Sequence, residues 1–194
     1  MHNFRFAFLT VTLSLVLSAC DKDTGAQPAT PQVGQSSSKA MARVSPASKK
    51  ALAEYEMVAR DFLQGIEADA SVQQLRPMAQ RMLDLGVSVV PDYVTAVPDC
   101  QRYLEEAAKI ESRWSELDPE VIERDYHQDG ALPPMPNNVD CYHMKDVVVH
   151  PATALALLAQ PEVDRDQVRL EIFEVVSHAI AVRTGSGFNS DDGD

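Results

Sequence analysis

The sequence predicts an all-α fold: a bundle of five or six helices, stapled by a disulfide, on a disordered N-terminal tether. Three observations carry this. Apolar residues recur at spacings of three and four through most of residues 48–184. No stretch shows the strict alternation of a half-buried strand, and no repeat period is present. Beyond Cys20 the chain holds one further pair of cysteines, Cys100 and Cys141.

Taken in order, Ser48 opens the first helical pattern, with Leu52, Tyr55, Ala59, Phe62 and Ile66 on one face, ending near residues 65–69. A second helix is expected from about Pro77, because proline suits a first helical turn. Gly86 and Pro91 would weaken it, and the valine-rich run 87–97 is read as its continuation. Pro98-Asp99 restarts the chain into the clearest amphipathic pattern, Cys100, Tyr103, Leu104, Ala107, Ile110, Trp114 and Leu117, expected as one helix. Asp118-Pro119-Glu120 is an N-cap, a proline and an acid in the first turn, and starts a short helix through Tyr126. Residues 130–138, with three prolines, form a loop. The apolar stretch 142–160 carries Pro151, so a kink or restart is expected after His150. Asp164 caps the last helix, 165–184, which stops at Gly185.

At the N-terminus, Arg5 precedes an apolar run, Phe6 to Val16, which ends in Leu17-Ser18-Ala19-Cys20. The run is shorter than the ~20 apolar residues of a membrane span and has the shape of a signal peptide. Leucine, two small residues and cysteine in this setting resemble the lipobox of bacterial lipoproteins. That resemblance covers only the first ~21 residues. It implies cleavage before Cys20, lipidation of Cys20 and a protein anchored in the cell envelope facing the periplasm. Asp21 resembles a signal for retention in the inner membrane, which is favoured on that ground. The expected organisation is a signal peptide over residues 1–19, the lipidated cysteine and a disordered tether over 20–47, the helical domain over 48–185 and an acidic disordered tail over 186–194. The tether is rich in Pro, Gln, Ser, Thr, Ala and Gly, and has too few large apolar residues to offset its ordering entropy.

The net charge of −12 argues against nucleic acid as a partner, and against a membrane contact other than the lipid. In an exported chain the default reading of Cys100 and Cys141 is a disulfide. It would close a loop of about 40 residues, worth roughly 4 kcal/mol in the chain-entropy model. A thiolate metal site is the weaker reading, since there is no Cys-x-x-Cys.

Signatures of covalent haem, zinc proteases, serine hydrolases and phosphate loops are absent, and no catalytic residue stands out. The leading functional expectation is a binding or assembly domain with an envelope protein partner and no cofactor, docking through the 131–136 loop or the 87–97 segment. The alternative is a metal- or haem-binding domain, and the second alternative an envelope enzyme. The metal alternative rests on His143, Asp146 and His150, which fall at i, i+3 and i+7 of one helix face. Two imidazoles and a carboxylate suit a divalent ion such as zinc or iron. Two turns separate the histidines by ~10.5 Å along the axis, a distance that a kink near Pro151 would change, or that a ligand from another helix, such as His127 or His178, would make up for. The bland reading pairs His143 with Asp146 and gives His150 a structural bond. Haem would need His178 with Met78 or Met82, which no spacing selects.

Overall fold

The computed structural model describes residues 43–185 and Phe188. The lipobox, Cys20, Asp21, the tether up to residue 42 and the tail apart from Phe188 lie outside the described residues. Within them the protein is all-α: α1 Pro46–Glu67, α2 Val72–Ala96, α3 Gln101–Ala107, α4 Pro119–Ile122, α5 Val139–Leu158 and α6 Arg165–Thr184. No strand occurs among the described residues, and none of their helices is long and apolar enough to cross a membrane.

Helices α1, α2, α5 and α6 form the bundle, each packed on the next and α6 closing back on α1. Ser45 caps α1, accepting from Ser48 N. The α1–α2 turn contains Asp69 at φ 55°, and Arg165 of α6 donates to Ile66 O and Ala70 O on either side of it. Arg183 donates to the buried Glu56 at 2.8 Å, a second tie between α1 and α6. The segment between α2 and α5 packs over the outer side of α5. That cover explains why α5 is buried around its circumference rather than along one stripe: every residue from Met144 to Leu158 is buried. The Cys100–Cys141 disulfide is formed, with Cα atoms 5.2 Å apart, and ties the two ends of this excursion together.

The structure departs from the sequence expectations at four places. Helix α2 starts at Val72 rather than near Pro77; Gln74 accepts from Ser71 N and so helps to cap it, and Pro77 falls inside the second turn. The segment 87–97 is helical as expected through Ala96, and Val89, Val90, Val94 and Val97 are core, so these valines form no exposed apolar patch. The single helix expected over 100–117 is α3 followed by 3₁₀ turns at Ala108–Ser112 and Trp114–Glu116. Leu104, Ala107 and Ile110 are all buried and three apart, the period of the tighter helix.

The fourth departure concerns Pro151. Helix α5 runs through it without a restart. Proline has no N–H for the carbonyl four residues earlier, Val147 O. Tyr55 of α1 supplies the missing donor, its hydroxyl 2.8 Å from Val147 O. On the α2 side, a Cβ at Gly86 would stand 2.9 Å from the same carbonyl, so the close approach there requires glycine. Phe188, beyond α6, is buried against Tyr93, with ring centroids 6.2 Å apart.

Candidate metal centre

Four histidines lie within the described residues, and all four fall in one connected group. His127 and His150 have ring centroids 4.8 Å apart, His150 and His178 5.2 Å, and His143 and His178 5.2 Å. Three elements deliver them: α5 carries His143 and His150, α6 carries His178, and a π turn over Glu123–His127 carries His127.

The π turn follows directly from α4. Asp118 caps α4, accepting from Glu120 N. The chain then widens, with Gln128 N donating to Glu123 O at 2.8 Å, and Gly130 N closes on Arg124 O at 3.0 Å. Asp129 takes φ 62°, and a Cβ at Gly130 would lie 2.5 Å from Arg124 O, so the closure depends on glycine. Single π turns of this kind concentrate at functional sites.

Lys145 holds this turn against α5. Its side chain is wholly buried, with Nζ 2.6 Å from His127 O, 3.2 Å from Asp129 Oδ1 and 3.1 Å from Asp146 Oδ1. It also lies 4.9 Å from the Tyr142 ring centroid. Tyr103 donates to Asp129 Oδ1 at 2.6 Å, and burial together with that carboxylate raises its hydroxyl far above the ordinary range.

Two of the histidines are oriented alike. His150 Nδ1 lies 2.7 Å from Glu171 Oε2, and His127 Nδ1 lies 2.8 Å from Glu123 Oε2. A proton shared on each Nδ1 leaves Nε2 with its lone pair, the arrangement by which a carboxylate orients a ligating imidazole. Burial raises the Glu123 carboxyl, and hydrogen bonds from His127 and Gln128 outweigh it and hold the group below the usual range. His150 Nε2 is buried without a hydrogen-bond partner. The fully buried Asp146 has its charge met by Lys145, 3.1 Å from Oδ1, with His178 Nε2 3.6 Å from Oδ2 and the Tyr142 hydroxyl nearby, but neither oxygen has a well-aligned hydrogen bond. A buried polar atom left unpaired costs about 1–3 kcal/mol, so His150 Nε2 requires a reason.

His127, Asp146 and His150 each offer a ligand atom within 4.8 Å of the others. Neighbouring donors of a tetrahedral ion bound at ~2.0–2.1 Å stand ~3.4 Å apart, so binding would draw these side chains inward. His178 borders the group. Burial lowers its imidazole to about 4; Asp146 pulls the other way, and His150, His143 and His127 lower it further. It is thus neutral at pH 7, the form that binds metals.

Of the candidates read from sequence, the structure brings together Asp146, His150 and His127. His143 lies apart from them, as two helical turns along α5 require: its Nδ1 is 3.0 Å from His178 Nδ1, not paired with Asp146. Glu171, Lys145 and Asp129 were not singled out by sequence. Glu123 and His127, at i and i+4, carry a readable signal; Glu171, on a different helix from His150, carries none. No family model, curated protein or solved structure matches the chain.

Proposed function

We propose that the helical domain binds a divalent transition metal through His127, Asp146 and His150, with His178 beside them as a further donor. The observation that carries this reading is the pair of carboxylate-oriented imidazoles, His127 on Glu123 and His150 on Glu171, gathered with the buried Asp146 so that their ligand atoms lie within 4.8 Å of one another, His150 Nε2 having no partner. Nitrogen-rich donors with one carboxylate suit zinc or iron, and with Cys100 and Cys141 in a disulfide the described residues offer no thiolate to favour a softer ion. Haem fits less well, because the contacts between the His127, His150 and His178 rings leave no plane for a porphyrin between them.

The envelope setting belongs to the same proposal. The lipobox pattern ending at Cys20 supports a lipid-anchored protein facing the periplasm, with Asp21 favouring the inner membrane. A disulfide in the domain suits that oxidising compartment. The assembly reading keeps one specific support: Leu170, Phe173 and Ile180 are exposed along one side of α6 and would suit an envelope protein partner. In-cell cross-linking from Phe173 tests it, and an absence of adducts would remove it.

The test of the metal reading is the Co²⁺ absorption spectrum of the purified protein, with bound metal counted, beside His150→Ala and His143→Ala. The expected result is one ion per chain with ligand-field bands, lost in His150→Ala and kept in His143→Ala. A wild type that binds no metal would overturn the proposal.

A further inference from the structure

Three imidazoles of the group are oriented in the same way. His127 and His150 engage an outer carboxylate through Nδ1. His178 engages an outer imidazole through the same atom, its Nδ1 3.0 Å from His143 Nδ1 across the α5–α6 contact. On the other edge of the ring, His178 Nε2 stands 3.6 Å from Asp146 Oδ2, near the ~3.4 Å that separates neighbouring donors of a tetrahedral ion. The Tyr142 ring flanks the pair, with its centroid 5.5 Å from that of His143 and 5.4 Å from that of His178.

Resting on the metal reading above, we infer that His178 is the fourth ligand of the ion and that His143 is the positioning residue that holds it in place. Ligation through Nε2 leaves the His178 proton on Nδ1, where the lone pair of His143 Nδ1 accepts it. His143 thus does for His178 what Glu123 does for His127 and Glu171 for His150: it fixes the tautomer and the orientation of the ring. The helices fit this division. Two turns along α5 keep His143 from sharing an ion with His150, while α6 sets the His178 ring 5.2 Å from each of them, centroid to centroid. A neutral imidazole raises the basicity of its partner less than a carboxylate does, so His178 is held less firmly than the other two rings. Four protein donors, three nitrogens and one oxygen, close the shell of a tetrahedral ion and leave no position for a substrate.

Equilibrium binding of Co²⁺ to the purified protein, read from its ligand-field bands, tests this through a double-mutant cycle of His143→Leu and His178→Leu, with His143→Asn as the conservative variant. The asparagine amide oxygen can accept the His178 proton, and leucine offers no acceptor. The expected result is a Co²⁺ dissociation constant raised about 10–100-fold in His143→Leu and within about threefold of wild type in His143→Asn. The bands of His143→Leu should persist at saturating Co²⁺. His178→Leu, which keeps three donors, should bind at least as weakly as His143→Leu, and adding His143→Leu to it should change nothing further. Wild-type affinity in His143→Leu or His178→Leu, the same weakening in His143→Asn as in His143→Leu, or an equal loss from His143→Leu with and without His178 would overturn the inference while leaving the His127–Asp146–His150 site standing. A wild type that takes up no Co²⁺ would overturn both.

Discussion

From Met144 to Leu158, α5 is hidden from solvent on both sides of Pro151, and the two stretches are built from different chemistry. Residues 152–158 read Ala-Thr-Ala-Leu-Ala-Leu-Leu, and the one polar side chain, Thr153, bonds Val149 O of its own helix. The half before Pro151 carries Lys145, Asp146 and His150, which reach the π turn, α6 and one another. Burial of apolar surface explains the first half completely. It works against the second, where desolvating charged and polar groups costs several kcal/mol per ion before any pairing is counted. Keeping such groups buried beside an ordinary apolar core costs stability, which the proposed metal role would account for.

Substitutions in each half should therefore fail differently. Lys145→Met removes the counter-charge to Asp146 and Asp129 and is expected to cost about 3–5 kcal/mol in urea unfolding; a near-neutral result would show that the buried network is not tightly coupled. Leu155→Ala, in the apolar half, should cost about 2–5 kcal/mol through the cavity it leaves, with the Co²⁺ spectrum unchanged. If that spectrum changed, the two halves would not be separable.

Acid distinguishes them as well. An unfolded His178 takes up a proton near 6.5, whereas in the folded protein burial and the neighbouring imidazoles delay this to about 4. In the metal-free protein its contribution is therefore fully present above pH 6.5 and is lost as pH falls toward 4, by about 3 kcal/mol. His178→Gln should flatten that limb of the stability–pH curve; a limb of unchanged slope would assign it to other groups. The smallest effect is at the hinge between the halves. Tyr55→Phe strands Val147 O and should cost about 1–3 kcal/mol, and a silent substitution would mean that the carbonyl opened by Pro151 needs no donor.

Much of the fold was legible because it rests on local signals. Asp118 and Asp164 are caps where the sequence places them, α6 has the expected bounds, and the cysteine pair closes as a disulfide. Continuity of α5 through Pro151 was not legible, because the compensating donor, Tyr55, lies far away in sequence. Nor was the start of α2, since Pro77 sits inside the helix, where it cannot donate to Gln73 O, rather than in the first turn that proline favours. At the candidate site, the i, i+3, i+7 spacing located the right helix and the ~10.5 Å rise correctly separated His143 from His150. What spacing cannot supply is which remote carboxylate orients which ring. Glu171 and the His127 turn are tertiary facts, set by the packing of α6 and by a π turn that depends on Gly130.

The central claim is that the polar half of α5 is built for an ion, and thermal unfolding with and without Zn²⁺ in excess of its dissociation constant tests it most directly. At a thousandfold excess an ion that binds only the folded protein adds about 4 kcal/mol, which should raise the wild-type Tm on the order of 10 °C. His150→Ala and Asp146→Asn should fold and show no such rise. An unchanged wild-type Tm, or the same rise in all three proteins, would contradict the account.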